Sequence, residues 1–218
     1  MTLRQRERLG LYQKVIKHCT DNLPVIASSD KLEHYLHGFR SAVAAISAID
    51  YLTNCIKENK VPATDELYNF LLPLAEAIGY SLLSFSEERG DNLLHQKITY
   101  SLSHTRAQSG DVRSASFVSI AETFITWMRS LEDYGMNDSI FNSFNAGIEH
   151  YMGIAPSRSN IPLEPEAYQE CFRNVLYTAN TLFKDRIDIL IQDLSEENYR
   201  FYLSYRRIRT YGDINYLL

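Results

Sequence analysis

The apolar positions of this chain recur at intervals of three and four residues over most of its length, the pattern of helices that each bury one face. The clearest run opens at Asp30, with Glu33 three residues on as a capping box. It steps through Leu32, Tyr35, Leu36, Phe39, Val43, Ile46 and Ile49 towards Leu52 and Ile56. Ala42, Ala44, Ala45 and Ala48 raise its helix propensity and let a neighbour approach closely. A cap at Thr64 introduces a second stripe of Leu67, Phe70, Leu71, Leu74, Ile78, Leu82 and Phe85, which stops at Gly90. Pro73 lies inside that stripe, removes one backbone hydrogen bond and predicts a kink near residues 69–71.

The remaining elements are read in the same way. Thr2 caps a first helix carrying Leu9, Tyr12, Val15, Ile16 and Cys19, which ends ahead of Pro24, and residues 23–26 form an apolar turn. Asp91 opens a segment with Leu94, Ile98 and Leu102 whose serines and threonines weaken it, so it reads as one helix or two short pieces. Phe117, Ala121, Phe124, Met128 and Leu131 follow, closed by Tyr134-Gly135. Asn137 or Asp138 caps Phe141, Phe144, Ile148 and Tyr151. Beyond a proline-rich loop over residues 153–165 come Tyr168, Phe172, Val175, Leu182 and Leu190. Ser195 caps a last helix with Phe201, Tyr205 and Ile208, and the apolar tail 211–218 is expected to dock. No strand pattern survives. The expectation is an all-α protein of seven or eight antiparallel helices in two successive bundles, residues 1–109 and 110–218, packed together without a flexible linker. One larger bundle is the alternative.

Composition narrows the function classes. Among 218 residues there are 9 Gly and 6 Pro, few for a turn-rich sheet protein. The net charge is −5, with charges balanced over the first 110 residues and the acidic excess in the second half, which argues against nucleic-acid binding. Three scattered cysteines, Cys19, Cys55 and Cys171, without a CxxC, read as reduced thiols of a cytoplasmic protein. No apolar stretch is long enough to span a bilayer, and the basic N-terminus lacks the apolar core of a signal peptide.

Leu23-Pro24-Val25 leading into an alanine-rich helix, Tyr134-Gly135 at mid-chain, and the closing Phe201-Tyr202-x-x-Tyr205-Arg206-x-x-Arg209 form a pattern. In these features the chain resembles a group of uncharacterised bacterial all-helical proteins with no assigned activity. It departs from the pattern after Arg209, where Thr210-Tyr211 replaces a basic–aliphatic pair. The resemblance implies a helical fold and no functional residue.

Candidate chemistry is sparse. His34 and His37 make an HxxH on one helix, but they flank the apolar stripe and read as core edge; no metal or cofactor set is expected. His18 and Cys19 are adjacent, and neighbouring helical residues point about 100° apart. Glu87-Glu88 and Glu196-Glu197 sit at helix ends and read as solvated. HExxH, GxSxG, GxGxxG and the P-loop pattern are absent, so no catalytic residue is named. The most distinctive surface is the last helix, where arginines alternate with tyrosines. Arg beside Tyr suits phosphate or base recognition and also protein hot spots. Pairing with carboxylates such as Asp188 and Asp193 is the first expectation for these arginines, and Tyr202, Arg206, Arg207 and Arg209 are the candidate partner-binding surface. The expected function is a non-enzymatic helical scaffold or protein-interaction protein, with an unknown protein partner and a homodimer through an exposed Tyr-rich face among the options. Small-ligand binding in a cleft between the bundles, with inward groups such as His34, His95 or His104, is the alternative. Nucleic-acid binding through the C-terminal Tyr/Arg helix is the weaker one.

Overall fold

The computed structural model describes residues 1–153 and 165–214, and every regular element among them is helical. The protein is all-α. In chain order the elements are α1 (Leu3–Asp21), α2 (Leu23–Ile26), α3 (Asp30–Lys57), α4 (Thr64–Arg89) and α5 (Asn92–His104). Then come α6 (Gly110–Trp127), running on into a 3₁₀ segment (Met128–Tyr134), and α7 (Asp138–Tyr151). Next is α8 (Pro165–Thr181), which continues through a π-helical segment (Leu182–Ile187) into α9 (Asp188–Asp193), and last α10 (Tyr199–Ile214). Most of the loop expected over 153–165 and the tail beyond 214 lie outside the described residues.

Local chemistry explains where helices begin and end. Thr2 and Gln5 form a reciprocal capping box at the start of α1. Asp91 accepts from the Leu94 amide, and Asn137 accepts from that of Ile140. Gly90 and Gly135, at φ of 64° and 77°, close α4 and the 3₁₀ segment in the left-handed region that glycine enters without penalty. Three expected starts move. Ser29, not Asp30, caps α3 by accepting from the Leu32 amide, because Asp30 is already helical. Ala63 precedes α4, with Thr64 inside its first turn. Residues 194–198 form turns, so α10 opens at Tyr199 and not after Ser195. The apolar stretch around Pro24 is itself a single helical turn, α2; proline is tolerated there because first-turn amides lack helical acceptors. The serine-rich segment after Asp91 is one continuous helix.

Two compact units result. The larger covers His37–Ala179. Within it α4 packs against α5, α6 and α7 through Leu67, Leu71, Leu74, Ile78 and Leu82, all buried. Gly147 admits Leu71 so closely that a Cβ there would lie 2.7 Å from the Leu71 Cδ2. Ser109-Gly110, the boundary expected from sequence, falls at the start of α6 inside this unit. The smaller unit joins Met1–Leu36 to Asn180–Leu218, bringing α1 alongside α10. Tyr12 meets Phe183 edge-on with ring centroids 5.2 Å apart, and the His18 ring stacks on Phe201 at 4.9 Å.

The stripe of α3 is buried from Leu32 to Leu52 except at Tyr35, which is half-buried, and it drifts at its end: Cys55 is buried while Ile56 is 40% exposed. The run from α8 into α9 has a different solution. Val175, Ala179, Phe183, Ile187 and Ile191 are all buried at steps of four. Each such step rotates an ideal α-helix face by roughly 40°. The wider π turn over Leu182–Ile187 absorbs that drift and keeps the later residues facing inward.

Candidate functional site

α10 divides its side chains between two faces. At about 100° per residue, Phe201, Tyr205 and Arg209 stack at four-residue steps on one side, and Phe201 and Tyr205 are buried. Tyr199, Leu203, Arg206 and Thr210 lie on the other, where Tyr199 is 60% and Leu203 38% exposed. Of the four residues named from sequence, Arg206 and Arg207 are exposed and Tyr202 is half-buried beneath Arg206, whose guanidinium carbon is 5.9 Å from the ring centroid. Arg209 turns inward.

The inward side of α10 centres on Asp188, the first residue after the π segment. Arg209 donates through Nε to both carboxylate oxygens, at 3.2 and 3.1 Å, and through Nη2 to Oδ2 at 2.9 Å. The Tyr205 hydroxyl donates to Asp188 Oδ1. Burial, first, and then the neighbouring carboxylate hold this phenol far above its ordinary range. The Arg209 guanidinium also lies over the Phe183 ring at 4.4 Å. This is the structural pairing with Asp188 expected for the arginines of this helix, realised by Arg209.

Beside this cluster lies a cavity of about 170 Å³, lined by Arg8, Leu11 and Tyr12 of α1, Asn180 of α8, Phe183 and Lys184 of the π segment, and Arg209 of α10. The Tyr12 hydroxyl donates to Asn180 Oδ1 at 3.5 Å. None of the histidines suggested for a ligand cleft lines it. No spacing signal in the sequence could have found it, because its walls come from both ends of the chain.

The other polar clusters are structural. Ser86 Oγ and Glu87 Oε1 both approach His95 Nδ1, at 3.3 and 3.8 Å, and the Ser86 hydroxyl donates to the Leu83 carbonyl. A nucleophile–base–carboxylate relay needs the serine and the acid on opposite ring nitrogens, so this trio is not wired for one. Cys171 donates to the Ser139 carbonyl at 3.1 Å, and burial pushes its thiol up, away from the reactive thiolate. His18 Nε2 lies 3.1 Å from Ser204 Oγ, while Cys19 is buried. His37 stacks on Tyr80 with centroids 5.3 Å apart. Glu88 accepts from the Tyr134 hydroxyl at 2.8 Å. Among the described residues no group of three or more His, Cys, Asp or Glu is placed to hold a metal ion, and no helix is long and apolar enough to cross a membrane. No family model, curated protein or solved structure matches this chain.

Proposed function

We propose that this is a non-enzymatic, cytoplasmic interaction protein that captures an acidic protein segment on the outward face of α10. The observation that carries the reading is the division of that helix. Packing and the Asp188 pair hold its inner face, while Tyr199, Leu203, Arg206 and Arg207 face solvent on a rigid backbone. Tyr and Arg supply most binding energy at protein interfaces, and a ring stacked on a guanidinium is already ordered before the partner arrives. On a chain of net charge −5, a local group of arginines selects for carboxylates and disfavours a second copy of the same acidic chain.

The test is a photo-crosslinking residue in place of Leu203, read in wild type and in Tyr202→Ala/Arg206→Ala. The expected result is a crosslinked acidic partner whose yield falls at least tenfold in the double variant, with thermal stability unchanged. Undiminished crosslinking in a folded double variant overturns the reading. So does a crosslink only to a second copy of the chain or to nucleic acid.

A further inference from the structure

We infer that the acidic segment of the partner is an amphipathic helix, seated in a cradle that α1 and α10 form together. The inference rests on the outward face of α10 as the capture surface and extends that face across α1. The two helices lie antiparallel. His18, near the end of α1, stacks on Phe201 and lies 3.1 Å from Ser204 Oγ, whereas Arg8 and Tyr12, nearer its start, line one cavity with Arg209. Together the two helices carry nine Arg and Lys against three acids, Glu7, Asp21 and Asp213. Residues 37–179 carry 10 against 17, so the cationic character belongs to this pair. Lys17 is committed to Asp21, and Arg209 to Asp188. Arg6 and Lys14 on α1, and Arg200, Arg206 and Arg207 on α10, are exposed and in no ion pair among the described residues.

These cations edge the seam between the helices from both sides. At about 100° per residue, Arg200 and Arg207 fall within roughly 60° of Ser204, the residue that meets α1, and exposed Leu203 lies between them. Lys14, one turn before His18, borders the seam from α1. Of the acids on this side, Asp21 is held by Lys17, which leaves Glu7 alone against three cations. Charge complementarity therefore selects carboxylates flanking an apolar stripe. A helix meets that description and satisfies its own backbone, whereas an extended segment laid on two helices leaves its amides and carbonyls without partners. Carboxylates seven residues apart on such a helix match the spacing of Arg200 and Arg207, about 10 Å at the α-helical rise.

Gly10 is the independent observation. It stands inside α1, where glycine is the least favourable residue after proline. A Cβ built there meets nothing within 4 Å, so no packing within the chain requires a bare backbone at that point. Arg6, Gly10 and Lys14 follow one another at four-residue steps, which sets the gap between two cations. A second helix approaches closest where a side chain is missing from the facing surface.

The test places a photo-crosslinking residue at Glu7 of α1 or at Leu203 of α10 in the full chain, in cells, and reads the crosslinked peptides by mass spectrometry. Both positions are expected to reach one segment of the same partner, with acidic residues at helical spacing. Gly10→Leu, whose side chain enters open space, should leave Tm unchanged or higher and lower both yields at least tenfold. Lys14→Glu, at an exposed position, should lower them as far through charge repulsion, and it keeps the test decisive if the leucine disturbs α1. Capture from Leu203 without contact from Glu7 overturns the cradle and leaves the α10 reading standing; capture from neither position defeats both. Yields that survive in folded Gly10→Leu and Lys14→Glu overturn the cradle. So does a shared segment without acidic residues, or a Glu7 crosslink to nucleic acid or lipid.

Discussion

Replacing Asp188 by alanine tests how the smaller unit is held together. The carboxylate receives Nε and Nη2 of Arg209 and the hydroxyl of Tyr205, so its removal takes a shared acceptor from a cation and a phenol at once. The Arg209 and Asp188 side chains are 19% and 25% exposed, which places the pair between a surface and a buried salt bridge. Breaking a buried pair from one side costs about 3–5 kcal/mol, and partial hydration brings the expectation here to about 3 kcal/mol. Tyr205→Phe removes one donor to a charged acceptor and is expected to cost about 1.5 kcal/mol. Both changes break the same hydrogen bond, so the double variant should cost about 1–2 kcal/mol less than the sum of the singles. Urea unfolding followed by far-ultraviolet circular dichroism measures all three. Trp127, the single tryptophan, lies in the 37–179 unit, so its fluorescence reports that unit separately. A loss below about 1 kcal/mol for Asp188→Ala, or strict additivity in the double variant, would falsify the view that this carboxylate organises the cluster.

Two other expectations follow from packing and burial. Gly147→Ala gains about 1 kcal/mol of helix propensity but drives a Cβ to 2.7 Å from the fully buried Leu71; overpacking of about 1–3 kcal/mol should win, giving a net loss in thermal melts, and a rise in Tm refutes the close approach of α7 to α4. Tyr168 is pushed up to about 12, first by burial and then by nearby Glu149. Because the folded value lies above the unfolded one, its stabilisation is complete below about pH 10 and is lost as pH rises towards 12. Tyr168 is 1% exposed, so Tyr168→Phe should lose about 2–3 kcal/mol less than wild type across that window, and parallel alkaline melting curves for the two proteins contradict it.

How far the sequence disclosed this structure depends on whether the information was local. The buried stripes of α3 and α4 were legible because one face of a regular helix repeats at fixed spacing, and Leu32, Phe39, Leu71 and Ile78 are all buried. Boundaries were less so. Ser29 and Asp30 both have capping side chains, and only backbone geometry chooses between them. Cys55 takes the buried place expected of Ile56 because the repeat drifts around the helix by the end of α3. The π segment left no mark, since steps of four from Val175 to Ile191 resemble an ordinary amphipathic helix. On α10 the alternation of Arg and Tyr was visible, whereas the inward turn of Arg209 follows from its phase relative to Phe201 and Tyr205. The cavity was illegible because Arg8, Lys184 and Arg209 converge only through tertiary folding.

The pairing of α1 with α10 sets an order on the birth of the molecule. Residues 37–179 are contiguous, so their unit has every partner it needs before α10 is translated. α1 leaves the ribosome well before α10 and has to wait for it. Tyr12 is 168 residues from its neighbour Asn180, roughly 8–34 s of synthesis at ordinary elongation rates. Throughout that interval Leu11, Tyr12, Val15 and Cys19 lack the surface that later buries them. The arginines and lysines spread along α1 then act as gatekeepers, keeping an orphaned amphipathic helix in solution until its mate arrives.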